Sequence, residues 1–387
     1  MDRQQIQLQL SEVQAKVLLS EGVRGLLKFL AVIDRFPNSG IRRISRETGF
    51  PVPICVAIRN EFVKKGWCKK DNGTVVTPEG KDIFLFFSSQ NTSFRCEKCE
   101  EYGVFFPLKS YEKELELIKK YTQLRGQPDT KIDQSFATSR TSLYRALYMI
   151  HNYDLFSGDY ALVGDSDLTS IAISQFIPKS SRITVFDIDS KLENIINNAN
   201  KELSNKIEFV KHDLHQPILD SYHGKFSCIH TDPPYTKQGC RLFISRSVDL
   251  INKKTGGAIY LSFGNKPPVE MKQIQEDLLK MGCVITNILP NFNKYIGAQK
   301  LGGVSTLYRL QVVPSAIPII DGRYEGVLYT GEVNPIIRTY KCQNCNRTTT
   351  VGIKEEFSTI EELKNKGCPK CKMSSFTKIS EKKMEEF

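Results

Sequence analysis

An α/β fold is predicted: a Rossmann-like, methyltransferase-type domain, preceded by a winged helix and followed by a zinc ribbon. Three observations predict it. Strand-like and helix-like patterns alternate between residues 131 and 315, which implies a parallel sheet covered on both faces. Helical apolar spacing and an Asn-Gly hairpin occupy the first ninety residues. Two Cys-x-x-Cys pairs stand near the end of the chain. At about 150 residues per domain, 387 residues allow two to three domains. The expected division is a winged helix over 1–90, a connector over 91–130, the Rossmann-like catalytic domain over 131–315, and an extension over 316–387 that carries the ribbon.

Composition bounds the function. Hydrophobic residues at 40% and charged residues at 25% are ordinary for globular chains, which excludes disordered, collagen-like and repeat architectures. No apolar run approaches the ~20 residues that a bilayer crossing needs. The start, Met1-Asp2-Arg3-Gln4-Gln5, is too polar for a signal peptide, so the expectation is a cytoplasmic protein without a membrane partner. A net charge of +11 suggests acidic partners or substrates, or simply solubility. Eleven cysteines, an odd number, argue against a disulfide framework and for reduced thiols, some of them metal ligands.

Taken in order, Leu26 to Ile33 gives the first helix, Ile41 to Thr48 the second, and Val52 to Lys65 the third after the Gly49-Phe50-Pro51 break. A wing follows around Asn72-Gly73, and Thr77-Pro78-Glu79-Gly80 opens another helix. The third helix starts with Pro51-Val52-Pro53-Ile54-Cys55-Val56, whereas base readout needs polar side chains there. Arg59, Lys64 and Lys65 are its phosphate contacts if it meets DNA. Dimerisation or interdomain packing is favoured over nucleic-acid binding, and a homodimer is expected. The connector carries Cys96 and Cys99, half a metal site, and a helix from Tyr111 to Leu124.

Strands are expected at Tyr160 to Val163, Arg182 to Phe186, Ile207 to Val210, Phe226 to Ile229 and Ala258 to Phe263, with a late pair at Cys283 to Leu289 and Thr306 to Val313. Helices are expected between most of them, for example Leu168 to Phe176, Lys191 to Leu203 and Met271 to Met281. In the extension, Cys342 and Cys345 are separated from Cys368 and Cys371 by 22 residues. Two such turns on neighbouring hairpins supply four thiolates at tetrahedral zinc geometry, hence a structural zinc site. Glu381 to Phe387 reads as a frayed tail.

Ligands of such sheets bind at the carboxyl ends of the strands, so the loops there carry the chemistry. The first loop, Gly164-Asp165-Ser166-Asp167, has one glycine and two acids. Carboxylates suit a cationic tail better than a phosphate or a carboxylate, although Asp165 or Asp167 can also cap the next helix. Asp187, about twenty residues on, is placed to accept hydrogen bonds from ribose hydroxyls. Asp213 follows the third strand, where an adenine amino group could be held. His230-Thr231-Asp232-Pro233-Pro234-Tyr235 follows the next strand. There Asp232 and a nearby carbonyl can accept the N–H bonds of an amine while Tyr235 covers it, an arrangement suited to alkylation of nitrogen.

These motifs resemble the branched-chain polyamine synthase family. The resemblance rests on Gly164 to Ala172, on Val185-Phe186-Asp187-Ile188-Asp189 and on Asp232-Pro233-Pro234-Tyr235. It is supported by Gln134-Ser135-Phe136-Ala137-Thr138 and Ser305-Thr306-Leu307-Tyr308-Arg309. In that family the first motif has three consecutive acids after the glycine. Here Ser166 takes the middle place, and the zinc ribbon is an addition.

The resemblance implies transfer of an aminopropyl group from decarboxylated S-adenosylmethionine to the N4 amine of a spermidine-like polyamine, then to the tertiary branch point. On this reading Asp167 leads as acceptor of the amine proton, with Asp232 as second acid. Pro233 and Tyr235 shape the substrate pocket. Gly164 and Asp165 sit near the aminopropyl ammonium, Asp187 on ribose and Asp213 on adenine. Two further readings are an S-adenosylmethionine-dependent N-methyltransferase of nucleic acid or protein, since Asp-Pro-Pro-Tyr also suits that chemistry, and a non-catalytic polyamine-sensing DNA-binding regulator.

Overall fold

The computed structural model describes residues 3–17, 19, 22–87, 104, 106–128, 134–155, 158–255, 257–296, 303–329, 336–352 and 355–383. At the amino end come α1 (Arg3–Val17), α2 (Gly22–Arg35), α3 (Ile41–Thr48) and α4 (Val52–Lys64), then the hairpin β1 (Cys68–Lys70) and β2 (Thr74–Val76), and α5 (Pro78–Phe87). They bury a core of their own in which the Phe62 ring packs edge-on against Phe29 and Trp67, at 5.5 and 5.2 Å. Helix α1 was not foreseen, yet its buried Ile6, Leu10, Val13 and Val17 recur at helical spacing. The hairpin turns where expected. Gly73 has φ 141°, and a Cβ there would lie 2.2 Å from the Asn38 carbonyl oxygen, so only glycine fits. Further on, α6 (Glu112–Thr122) occupies most of the helix expected from Tyr111 to Leu124. Cys96 and Cys99 lie outside the described residues.

The central sheet contains β3 (Phe136–Ala137), β4 (Asp159–Val163), β5 (Ile183–Asp187), β6 (Ile207–Lys211), β7 (Phe226–Thr231), β8 (Ala258–Phe263), β9 (Cys283–Ile296) and β10 (Val304–Val312). Their order is β3-β9-β10-β8-β7-β4-β5-β6. Strands β4 to β8 run parallel, in the positions the alternating pattern predicts. The expectation of a parallel sheet fails at the late pair: β10 is antiparallel to both β8 and β9, and β3 to β9. No helix is described between β9 and β10, and neighbours joined without a crossover run antiparallel. Strand β9 also continues past Leu289 to Ile296, which carries Asn293 and Tyr295 to the edge where the parallel strands end.

Helices α7 (Ser139–His151), α8 (Thr169–Ser174) and α9 (Ser190–Ala199) cover one face; α10 (Lys237–Leu250) and α11 (Pro268–Lys280) cover the other. Alternation along β4 shows why both faces are apolar: Tyr160 and Leu162 enter one core, Ala161 and Val163 the other. Past β10 the chain returns along α10, where buried Arg246 donates to the carbonyls of Leu214 and Gly322 at 3.0 and 2.6 Å.

The last unit pairs β11 (Ile336–Cys342) with β12 (Thr348–Val351) and β13 (Phe376–Lys383), beside the helix Ile360–Lys366. Glu381 is not part of a frayed tail, because it pairs with Arg338 at 2.9 Å inside β13; residues 384–387 lie outside the described set. Among the described residues no helix is long and apolar enough to cross a membrane.

Candidate active site

Gly164 follows β4 in the left-handed region, φ 73°, and turns the chain into the acidic loop. Asp165 is buried and works locally: its Oδ1 accepts the Thr169 amide at 2.8 Å, and both oxygens receive the Ser170 amide at 3.3 Å. It therefore caps the start of α8, the alternative that the sequence had left open. Its own amide donates to Asp187 Oδ2 at 3.0 Å, while Asp187 Oδ1 takes the Asp189 amide at 2.9 Å. Asp187 thus ties the first loop to the second. Burial pushes Asp165 up to about 8, against the Ser170 hydrogen bonds, and raises Asp187 as well. Asp213 accepts both the amide and the ring Nδ1 of His215, at 3.0 and 2.8 Å. Partial burial works to raise its carboxyl, yet those donors hold it below the usual range.

Asp167 also has partners on both oxygens. Oδ1 accepts the Ala137 amide and Oδ2 accepts Arg145 Nη1, each at 2.6 Å. Arg125 stands 4.0 Å from Oδ1 and donates to the Ser166 and Ala137 carbonyls. Ser166, in the middle place of the motif, is half-buried between the two acids.

Arg145, on α7, has no exposed surface at all. Its Nε donates to Asn293 Oδ1 at 2.8 Å, Nη1 also reaches Thr169 Oγ1 at 3.3 Å, and Nη2 reaches Asp232 Oδ2 at 2.8 Å and the Tyr295 hydroxyl at 3.1 Å. Asp232 Oδ2 further accepts the Tyr295 hydroxyl at 2.6 Å. Among the described residues no donor reaches Asp232 Oδ1, and its side chain keeps 17% of its surface. Burial pushes Asp232 up to about 7; Arg145 opposes this and neighbouring Asp167 adds to it. Tyr235 sets its ring edge-on to Phe263 and Tyr295, at 5.5 and 6.4 Å.

The structure therefore brings Asp167, Asp232 and Tyr235 to one place and keeps Asp165 and Asp187 as its neighbours under the first loop. Asp213 stands apart, at the end of β6. The sequence reading missed Arg145 and Tyr295. A signal for Arg145 existed: a single cation in the apolar run Leu143-Tyr144-Arg145-Ala146-Leu147-Tyr148-Met149 needs an anion if that run is a buried helix.

A family model for the C-terminal domain of branched-chain polyamine synthase A matches residues 113–365. The chain belongs to the branched-chain polyamine synthase family. It is accordingly an enzyme, a transferase of polyamine synthesis. It is 32% identical over 251 residues to N(4)-bis(aminopropyl)spermidine synthase of Methanocaldococcus jannaschii, 64% of this chain and 71% of that protein. The synthase of the same name from Thermococcus kodakarensis is 31% identical with the same coverage. A further protein of M. jannaschii, itself uncharacterized, is 34% identical over 357 residues, 92% of this chain and 89% of its own.

The fold matches the crystal structure of the branched-chain polyamine synthase of Thermus thermophilus, solved with N4-aminopropylspermidine and 5'-methylthioadenosine. The TM-score is 0.69 at 22% identity, over 85% of this chain and 98% of that one.

Away from this site, Cys342, Cys345, Cys368 and Cys371 set their four sulfur atoms within 4.8 Å of one another, the Cys342–Cys371 and Cys345–Cys368 pairs at 3.5 Å.

Proposed function

We propose that this enzyme moves the aminopropyl group of decarboxylated S-adenosylmethionine onto the N4 amine of a spermidine-like polyamine, with Asp232 as proton acceptor. The amine lone pair attacks the carbon beside the sulfonium, the C–S bond breaks, and 5'-methylthioadenosine leaves. The nitrogen's proton passes to Asp232. In a second transfer, to the tertiary amine, the same carboxylate strips the proton before attack. The sulfonium carbon is already electrophilic, so alignment and deprotonation are what the protein must add.

The observation that carries this reading is the difference between the two acids. Both oxygens of Asp167 are held by protein donors, whereas Asp232 offers Oδ1. Asp167 then acts with Arg145 to hold Asp232, Pro233 constrains the backbone beside it, and Tyr235 walls the amine's path. Gly164, Asp165 and Asp187 shape the loops for the adenosyl moiety, and Asp213 its far end. The ligands of the T. thermophilus synthase are the branched product and the spent donor, which fits this chemistry. Family membership favours it over the N-methyltransferase and regulator readings. Incubating the protein with spermidine and the decarboxylated donor, then weighing the polyamines, tests it: a gain of one or two aminopropyl groups is expected, and unchanged spermidine would refute it.

The four cysteines fit a structural zinc. Tetrahedral Zn–S bonds of 2.3 Å require sulfurs about 3.8 Å apart, close to the observed separations. Zinc there would tie β11 to the segment before β13 without touching the reacting groups. The amino-terminal helices and hairpin follow the order of a winged helix. Its expected phosphate-contacting Lys64 and Lys65 are paired with Glu61 and Glu12, which supports a packing role over DNA binding.

A further inference from the structure

We infer that Tyr295 and Arg145 are positioning residues for Asp232, the two donors to it within a closed hydrogen-bonded ring that fixes which carboxylate oxygen meets the amine. The inference deepens the reading of Asp232 as proton acceptor and rests on it. The ring runs from Arg145 to Asp232 (2.8 Å), Tyr295 (2.6 Å), Ser305 (3.0 Å), Asn293 (3.0 Å) and back to Arg145 (2.8 Å). It joins α7, the loop after β7, β9 and β10, elements far apart in sequence.

The ring has one polarity. A guanidinium only donates, so Asn293 must turn its carbonyl oxygen to Arg145 Nε and its amide nitrogen to Ser305. Ser305 Oγ therefore accepts from Asn293, and because the single phenolic hydrogen of Tyr295 goes to Asp232 Oδ2, the Ser305 hydroxyl is the donor to the Tyr295 oxygen. The Tyr295 oxygen also accepts from Arg145 Nη2. Two donors thus converge on Oδ2 and, among the described residues, none reaches Oδ1, so the carboxylate is held in one orientation with one oxygen free of protein donors. The arrangement also gives a task to the stretch that begins at Ser305, which the sequence tied to the family without a role.

The groups that face Asp232 are Arg145 from α7, Asp167 from the first loop with Arg125 behind it, Tyr295 from β9 and Tyr235 from its own loop. Arg145 and Tyr295 favour the ionised carboxylate; burial and Asp167 oppose it. Activity needs the ionised form, so it falls as pH drops through the Asp232 transition. Removing the Tyr295 donor moves that fall to higher pH.

The test is the pH profile of kcat/KM for Tyr295→Phe beside the unaltered enzyme. The acid limb is expected to move up by about one unit, so that the deficit approaches tenfold below the limb and shrinks as pH rises. Ser305→Ala keeps the phenol but loses its orienting donor, and should shift the limb the same way by less; it reads the same quantity if the phenylalanine variant folds poorly. A purely structural role would lower the rate equally at every pH. An unmoved limb in both variants, with Asp232→Asn inactive, overturns this inference and leaves the proton acceptor standing. Full activity of Asp232→Asn overturns both.

Discussion

Three carboxylates cluster at the ends of β4 and β7, and their partners divide the labour among them. Asp165 caps a helix, Asp167 is held by the Ala137 amide and Arg145, and Asp232 has, among the described residues, no protein donor on one of its oxygens. Asp232→Asn should therefore cut turnover by about 10²- to 10⁴-fold, the usual worth of a general base, with little change in melting temperature; single-turnover rates check it. With Asp232 lifted to about 7, kcat/KM should be half-maximal near that pH and fall on the acid side, a profile measurable with fluorescent polyamine derivatisation. Ser166 lies between the two held acids. Ser166→Asp adds a negative charge where cationic substrate is expected, so KM should drop and become more sensitive to salt, which initial rates at two ionic strengths would show.

At the level of elements, the small ribbon has few apolar groups of its own: Val351, Phe357 and Leu363 are its buried hydrophobic residues in that cluster. So small a core does not hold a fold unaided, and metal is the expected supplement. Elemental analysis should find about one zinc in the described cysteine site, and chelation should melt β11 to β13 at a lower temperature than the central sheet, seen as a separate calorimetric transition. A single transition unaffected by chelator would refute the assignment. The β1–β2 hairpin gives a second element with a clear weak point. Gly73→Ala forces both a positive φ and a clash with the Asn38 carbonyl, and should lower stability by about 1–3 kcal/mol in denaturant titration.

Across the whole molecule, Arg145 is the junction of α7, the first loop, the loop after β7, and β9. Replacing it by methionine leaves Asp232 without its cation and Asp167 with only Arg125 at 4.0 Å, and the expected loss of stability is about 3–5 kcal/mol at pH 8. Burial already raises Asp232, and without Arg145 nothing of that strength opposes it, so the penalty is present at high pH and relieved as Asp232 protonates. The gap in melting temperature between this variant and the unaltered enzyme should therefore narrow as pH falls from 8 to 5.5. The parallel strands, the hairpin turn and the cysteine cluster were legible in the sequence, because periodicity, an Asn-Gly pair and Cys-x-x-Cys spacing are local signals. So were Asp167, Asp232 and Tyr235 as one group, since each follows a strand of a sheet whose ligand edge is known. Arg145 and Tyr295 were not: helix α7 lacks a clean stripe because it is buried nearly all round, and Tyr295 depends on how far β9 runs past its neighbours. The sequence alone determined which chemistry-bearing residues share the strand ends. Only the tertiary structure decided which of them is left with an open oxygen, because that depends on donors brought from elements as much as 150 residues apart.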